Sequence, residues 1–467
     1  MASTRAPASR GSFAKVVTSS LIGTTIEWYD FFLYGSAAAL VFGTVFFPDA
    51  DPLTGVLLSF GTYAVGFVAR PLGGLVFGHF GDRTGRKRLL VISLLMMGAS
   101  TFAIGLLPGY ATIGVAAPLL LILLRVVQGF ALGGEWGGAV LLVSEHGSAR
   151  HRGFWASWPQ AGVPCGNLLA TAVLAVLAAV QPAEAFDAWG WRIPFLLSGL
   201  LVLIGLYIRL AVSESPVFLE AARKAEASAQ ASGPAERAPL VAVLRDHWRE
   251  LLVAMGVRVA ENISYYVITA FILVYAVQEA GAERGTVLNA LLAAAVVQLA
   301  AIPLWGALSD KVGRRPVVAF GAAGVGVWMF VFFPLVDRAG FGAILAAAGV
   351  GLVLHAAMYG PQAAYFSELF GTRTRYSGAS IGYQLASIVA GGLAPLIATS
   401  LLAAFASAVP VAVYVAGAAV ITLAAVAVSP ETRGRDLGQG GGPGAGDAGD
   451  TGASPVEGPA EGQAGAR

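Results

Sequence analysis

The sequence predicts an all-α membrane protein: twelve transmembrane helices in two six-helix, pseudo-symmetric halves. Three observations carry that reading. First, 57% of the 467 residues are hydrophobic and only 12% are charged, about half the roughly 25% charge of a soluble domain. Second, apolar runs recur at the ~20 residues needed to span a bilayer as helix. Third, a basic turn occurs twice. Gly78-His79-Phe80-Gly81-Asp82-Arg83-Thr84-Gly85-Arg86-Lys87-Arg88 returns as Gly306-Ala307-Leu308-Ser309-Asp310-Lys311-Val312-Gly313-Arg314-Arg315. Asp82 and Asp310 are 228 residues apart, about half the chain. In both copies Gly, Asp, cation, Gly, Arg and cation keep their order. The glycines Gly85 and Gly313 allow a compact reversal with φ > 0. The aspartates suit unpaired N–H groups at a helix start, or a neighbouring arginine.

Spans 1 to 6 run over 19–46, 53–79, 89–107, 112–143, 153–180 and 191–212. Span 1 carries Glu27 and Asp30, and Trp28, Tyr29 and Tyr34 stand beside them. Span 2 holds Arg70-Pro71, where proline removes a ladder hydrogen bond. In span 4, Arg125, Gln128, Leu132 and Glu135 follow one helical stripe, and Gly129, Gly133 and Gly137 recur every fourth residue, as close helix packing requires. Glu214-Ser215-Pro216 stops span 6. Spans 7 to 12 run over 250–278, 286–308, 316–336, 341–366, 377–404 and 409–428. Span 7 carries Arg258 and Glu261, spaced like Glu27 and Asp30 by three residues, hence on one face. Both pairs begin about eight residues into equivalent helices, or ~12 Å deep at 1.5 Å per residue, which predicts a shared central cavity. His355 in span 10 reads as packing ahead of proton relay. A second repeat, Ser144-Glu145 before Arg150-His151-Arg152 and Ser367-Glu368 before Arg373-Thr374-Arg375, again divides the chain into halves. Glu145 and Glu368 are expected to pair with loop arginines.

Lys and Arg crowd one set of loops: the two basic turns, Arg150 and Arg152, the 213–249 loop, and Arg373 and Arg375. The positive-inside rule then places both termini in the cytoplasm of a multi-pass protein of the plasma membrane. The chain divides into a cytoplasmic N-terminus (1–18), a first half (19–212), a central cytoplasmic loop (213–249), a second half (250–428) and a tail (429–467). The tail's Gly, Ala, Pro, Asp and Glu predict disorder.

Several functions are excluded or disfavoured. A net charge of +2 gives no reason to expect nucleic acid. Cys165 stands alone, so there is no intrachain disulfide framework. No phosphate-binding Gly-x4-Gly-Lys-Ser/Thr loop, zinc motif or nucleophile–base motif is present, so neither an enzyme nor an ATP-driven pump is expected. Any active transport uses an ion gradient. Charges within spans cost roughly 2.5–3.5 kcal/mol each at mid-bilayer and mark the function.

The paired turns resemble the signature of the major facilitator superfamily between helices 2 and 3, echoed between helices 8 and 9. Thr24-Thr25-Ile26-Glu27-Trp28-Tyr29-Asp30-Phe31-Phe32-Leu33-Tyr34-Gly35, Arg70-Pro71-Leu72-Gly73-Gly74, Gly133-Gly134-Glu135-Trp136-Gly137-Gly138 and Trp189-Gly190-Trp191-Arg192-Ile193-Pro194-Phe195 look like its metabolite:proton symporter branch. The resemblance covers residue 19 to about 430. Members import shikimate, α-ketoglutarate, citrate, proline and betaine with protons. It implies a functional monomer that carries a small organic acid or zwitterion together with protons by alternating access, without a cofactor or metal. The expected substrate and proton pathway is Glu27, Asp30, Arg125, Gln128, Glu135, Gln160, Arg258, Glu261, Tyr265 and Gln384. The expected gating motif is Gly78, Asp82, Arg83, Gly85, Arg86, Asp310, Gly313 and Arg314. A proton-driven efflux antiporter and a proline/betaine-type carrier are the alternatives. Against the antiporter, span 5 has only Gly162-Val163-Pro164-Cys165-Gly166 where exporters carry Gly-Pro-x-x-Gly-Gly.

Overall fold

A computed structural model describes residues 10–84, 86–133, 143, 149–211, 245, 247–370 and 375–435. Its principal helices are α1 (Arg10–Leu40), α2 (Pro52–Thr84), α3 (Arg86–Leu106), α4 (Ala116–Leu132), α5 (Arg152–Val180), α6 (Arg192–Ala211), α7 (Trp248–Tyr266), α8 (Arg284–Val312), α9 (Arg314–Val336), α10 (Phe341–Leu369), α11 (Arg375–Ser387) and α12 (Val409–Val428). α7 continues to Glu279 through π turns at Val267–Phe271 and Tyr275–Glu279, and α11 continues through Ile388–Gly392 into Ala394–Phe405. No strand occurs among the described residues. Hydrocarbon offers the backbone no hydrogen bonds, so an apolar crossing must satisfy its own N–H and C=O groups as helix.

Among the described residues nine helices are long and apolar enough to cross a membrane; Val91–Leu106 and Ala116–Leu132 are shorter apolar helices. α1 completes the set, with Glu27 and Asp30 buried. Two boundaries differ from the sequence reading. α1 begins at Arg10, because its polar first turns give no hydrophobic signal. The tail also begins later than Ser429. Residues 429–435 pack against the helix ends, with Tyr365 Oη 2.6 Å from Ser429 Oγ and Thr432 Oγ1 donating to Glu368 Oε2 at 2.9 Å. Polar side chains hold this segment, which is why apolar composition did not reveal it.

Within the first half, α2 and α4 cross at backbone contact. A Cβ on Gly73 would clash with the Phe130 carbonyl, one on Gly129 with that of Gly66, and one on Gly133 with that of Arg70. The halves meet along α5 and α8, along α5 and α10, and along α2 and the α11 continuation. Gly153 and Gly306 face each other across the α5–α8 crossing, where either Cβ would crowd the opposite carbonyl. α2 proceeds as helix across Pro71.

Candidate functional site

The charges of α7 lie in a closed polar network. Arg258 and Glu261 form an ion pair of 3.0 Å, with both side chains at most 4% exposed. Arg258 also donates to Gln362 Oε1 on α10 at 2.8 Å and to Ser387 Oγ on α11 at 3.2 Å. Its guanidinium sits 3.3 Å above the Tyr383 ring. The other oxygen of Glu261 lies 3.0 Å from His355 Nε2. His355 Nδ1 in turn lies 2.9 Å from Gln298 Nε2 on α8. Beside this network is a cavity of ≈ 230 Å³ bordered by Trp28, Arg258, Glu261, Tyr265, His355 and Tyr359 among others.

The charges of the first half are arranged differently. Asp30 accepts from Ser198 Oγ on α6 at 2.6 Å. Arg125 donates to Gln128 Oε1 at 3.1 Å, and Gln128 donates to Thr101 Oγ1 at 2.6 Å. The Arg125 guanidinium lies 4.3, 4.6 and 4.7 Å from the ring centres of Tyr34, Phe31 and Tyr63. Arg70 lies 4.4 Å from the Phe31 ring and 4.3 Å from that of Phe67. Two guanidiniums within 4.6 Å of one ring centre are at most 9.2 Å apart. Each keeps Nε and one terminal nitrogen without a hydrogen-bond partner among the described residues. Such placement is tolerated where ring faces offset part of the lost hydration. Asp30, Arg125 and Gln128 border a second cavity of ≈ 200 Å³.

The expected single cavity is thus two in this conformation. An aromatic layer separates them: Phe31 contacts Tyr266 with ring centres 6.4 Å apart, and Phe32 contacts Tyr265 at 5.5 Å. Gln384 reaches between halves to the Gly133 carbonyl at 3.3 Å. Gln160 is buried on α5. Glu135 lies outside the described residues.

At the end bearing the basic turns, a buried charge cluster joins the halves. Glu368 accepts from Arg152 at 2.9 Å and from Arg314 Nε and Nη2 at 3.1 Å each. Asp310 accepts from the backbone N–H groups of Gly153 and Phe154, at 2.8 and 2.9 Å, and from Arg314 at 2.8 Å. It therefore meets both an α5 N-terminus and an arginine. Gly313 has φ +107°, open to glycine and strained for other residues. Beyond it Glu431 accepts from the N–H groups of Arg314 and Arg315, at 2.9 and 3.1 Å. Burial acts to raise the pKa of Glu431, but these N–H groups with those of Arg433 and Thr432 outweigh it and hold the carboxyl below its ordinary range. In the first copy Gly85 lies outside the described residues. Gly78, Asp82, Arg83 and Arg86 lie on helical backbone, and their side chains fall outside the description. At the opposite end Arg284 pairs with Asp187 at 2.9 Å. Phe67, which also meets Phe31 and Tyr266 of the aromatic layer, covers Gly391 and Gly392.

The sequence reading left Gln298 and Gln362 out of the pathway and gave His355 to packing. One signal was available: His355 and Gln362 are seven residues apart on α10, hence on one face.

Residues 15–439 match the family described as "Sugar (and other) transporter". The chain is 42% identical over 428 residues to the inner membrane metabolite transport protein YhjE of Escherichia coli K12, covering 91% of this chain and 95% of that one. It is 41% identical to the shikimate transporter of the same organism, over 84% and 88% of the two chains. It is 35% identical to the proline/betaine transporter of Salmonella typhimurium, over 91% and 85%. Among solved structures, the inward-open xylose transporter XylE from E. coli superposes with a TM-score of 0.71 at 18% identity, covering 91% of this chain and 98% of that one.

Proposed function

The chain belongs to the sugar (and other) transporter family of the major facilitator superfamily, and on that premise we propose that it imports a small carboxylate-bearing metabolite together with protons. It is a transporter and not an enzyme. The observation that carries the proposal is the buried Arg258–Glu261 pair on the wall of a cavity. A substrate carboxylate can replace Glu261 as the partner of Arg258 without leaving a buried charge exposed to hydrocarbon, and a proton can neutralise the acid so released. Arg125, beside the second cavity, supplies another bidentate donor. A neutral sugar gives no reason to keep these guanidiniums in the membrane. Shikimate-like hydroxylated monocarboxylates come first, then dicarboxylates, then betaine-like zwitterions. Glu27, Asp30 and Glu261 are the carboxyl groups along the proton's path. The basic turns face the cytoplasm of the plasma membrane, and the Glu368 cluster is the inner gate.

A zwitterion is the second reading. Trp28, Tyr265, Tyr359 and Tyr383 wall the cavity beside Arg258, and aromatic faces suit a quaternary ammonium. Reconstituted vesicles with an acidic exterior test both, using labelled shikimate, α-ketoglutarate, betaine and xylose. Accumulation of an acid or zwitterion that collapses with a protonophore supports symport. Uptake of xylose alone overturns the proposal.

A further inference from the structure

We propose that His355 is a resting place of the transported proton, and that it acts on Arg258 through Glu261. The inference deepens the symport reading above and rests on it.

His355 is 1% exposed, at mid-length of α10. Its two ring nitrogens have different partners, Glu261 Oε1 at 3.0 Å and Gln298 Nε2 at 2.9 Å. An amide nitrogen can only donate, so Nδ1 accepts from Gln298 and the ring proton sits on Nε2, donated to Glu261. In this state the imidazole is neutral, and Glu261 is balanced by Arg258 alone. The remaining oxygen of the Gln298 amide is buried and has no hydrogen-bond partner among the described residues. A half-turn of that amide presents its oxygen to Nδ1. Nδ1 must then carry a proton, and His355 becomes an imidazolium. One side-chain torsion thus converts a donor to bare Nδ1 into an acceptor for Nδ1–H, with no backbone movement. The orphaned oxygen in the present state is what that second state uses.

Other groups facing the imidazole are consistent with this role. From α7 come Glu261, Arg258 and Tyr265, the last with its ring centre 4.7 Å away. From α10 itself comes Tyr359 at 5.3 Å, and Tyr383 of α11 borders the same cavity. From α8 comes neutral Gln298, and α5 brings Val163 to the cavity wall. The charged residues of α5, α8 and α9 lie at their helix ends. Glu261 and Arg258 are therefore the charges that answer a proton on His355.

The consequence follows from charge balance. One proton is added to Nδ1 from whichever aqueous side is open, and no other bond is made or broken. Glu261 then faces two cations, and its hold on Arg258 weakens. Arg258 turns to the adjoining cavity and takes the substrate carboxylate. Loss of the proton to the other side returns Glu261 to Arg258 and displaces the substrate. His355 is in these terms a positioning residue for Arg258.

The test is the pH dependence of shikimate uptake by the full chain in proteoliposomes, in the parent and in His355→Gln and Gln298→Leu. For the parent, binding one proton with substrate changes the half-saturating concentration by up to about tenfold per pH unit. His355→Gln retains a donor for Glu261 and binds no proton, so that slope should fall to less than about twofold per unit, with uphill accumulation lost. Gln298→Leu removes the partner that answers Nδ1, so it should shift the pH midpoint. This variant also decides the matter should His355→Gln fail to insert. A purely structural role would lower the amount of active protein and leave slope and midpoint alone. Parental slope in His355→Gln, or a parental midpoint in Gln298→Leu, overturns the assignment of His355 while symport stands. A parent whose uptake of shikimate, α-ketoglutarate and betaine ignores pH overturns the symport reading itself.

Discussion

Replacing Glu368 by Gln should unlock the end of the molecule that bears the basic turns. The Glu368 side chain is 0% exposed, as is that of Arg314, and that of Arg152 is 4% exposed. Its two oxygens accept from Arg152, twice from Arg314, and from Thr432. Glutamine keeps the shape, removes the negative charge, and turns an N–H₂ group toward donors. Arg314 retains Asp310 at 2.8 Å, but Arg152 loses its carboxylate partner and keeps the Arg435 carbonyl at 3.0 Å. Removing one member of a buried ion pair costs about 3–5 kcal/mol. Because Asp310 remains, the low end applies, and about 3 kcal/mol is on the order of a hundredfold in the closed-to-open ratio. Of these contacts the one from Arg152 crosses between the halves and exists only with them together, so the cost of breaking it falls on the closed state. The assay is thiol labelling in a background where Cys165 is replaced by Ser and Ser157 by Cys. Ser157 is fully buried on α5 at its crossing with Gly306. An impermeant maleimide applied to inverted vesicles should label Cys at 157 much faster in the Glu368→Gln protein. Equal labelling rates with and without Glu368→Gln would refute the reasoning.

Four further outcomes are expected. Arg258→Lys keeps the charge but loses the planar fork; uptake at low substrate concentration should fall about tenfold or more, and a parental half-saturating concentration would argue against carboxylate recognition there. Gly73→Ala places a methyl against the Phe130 carbonyl, costing about 1–3 kcal/mol of overpacking, read as a lower melting temperature in detergent. Glu431 has a lowered pKa, so its contribution to stability is full above the ordinary carboxylate pKa and is lost as pH falls through the lowered value. The melting temperature in detergent should therefore fall in acid, and Glu431→Gln should lessen that fall. Val312, at the half-exposed end of α8, should escape impermeant reagents outside intact cells once replaced by Cys, and strong labelling there would reverse the orientation.

The fold was legible in the chain because hydrocarbon leaves little choice. Apolar runs must be helices, and twelve of them with a repeated basic turn make two halves. Val409–Val428 matches its predicted span residue for residue. α1 begins ahead of the predicted span because helix extending into water needs no apolar run. The path of residues 429–435 was missed because polar bonds, not hydrophobicity, hold it.

Pairing of the charges was not legible. Spacing along a helix says which residues share a face, so Arg258 and Glu261 could be read together. It does not say toward which neighbour that face turns. Glu368 meets loop arginines as expected, but sequence does not say which: they are Arg152 and Arg314, 216 and 54 residues away. The approach of α2 and α4 over Gly66, Gly73, Gly129 and Gly133 sets Arg125 among Phe31, Tyr34 and Tyr63, while Asp30 turns to Ser198. The sequence by itself determined that this is a twelve-helix membrane protein in two pseudo-symmetric halves, with charges inside its spans. Only the tertiary structure decided which of those charges meet, because a contact between helices depends on their rotation and crossing, and glycines far from the charges set both.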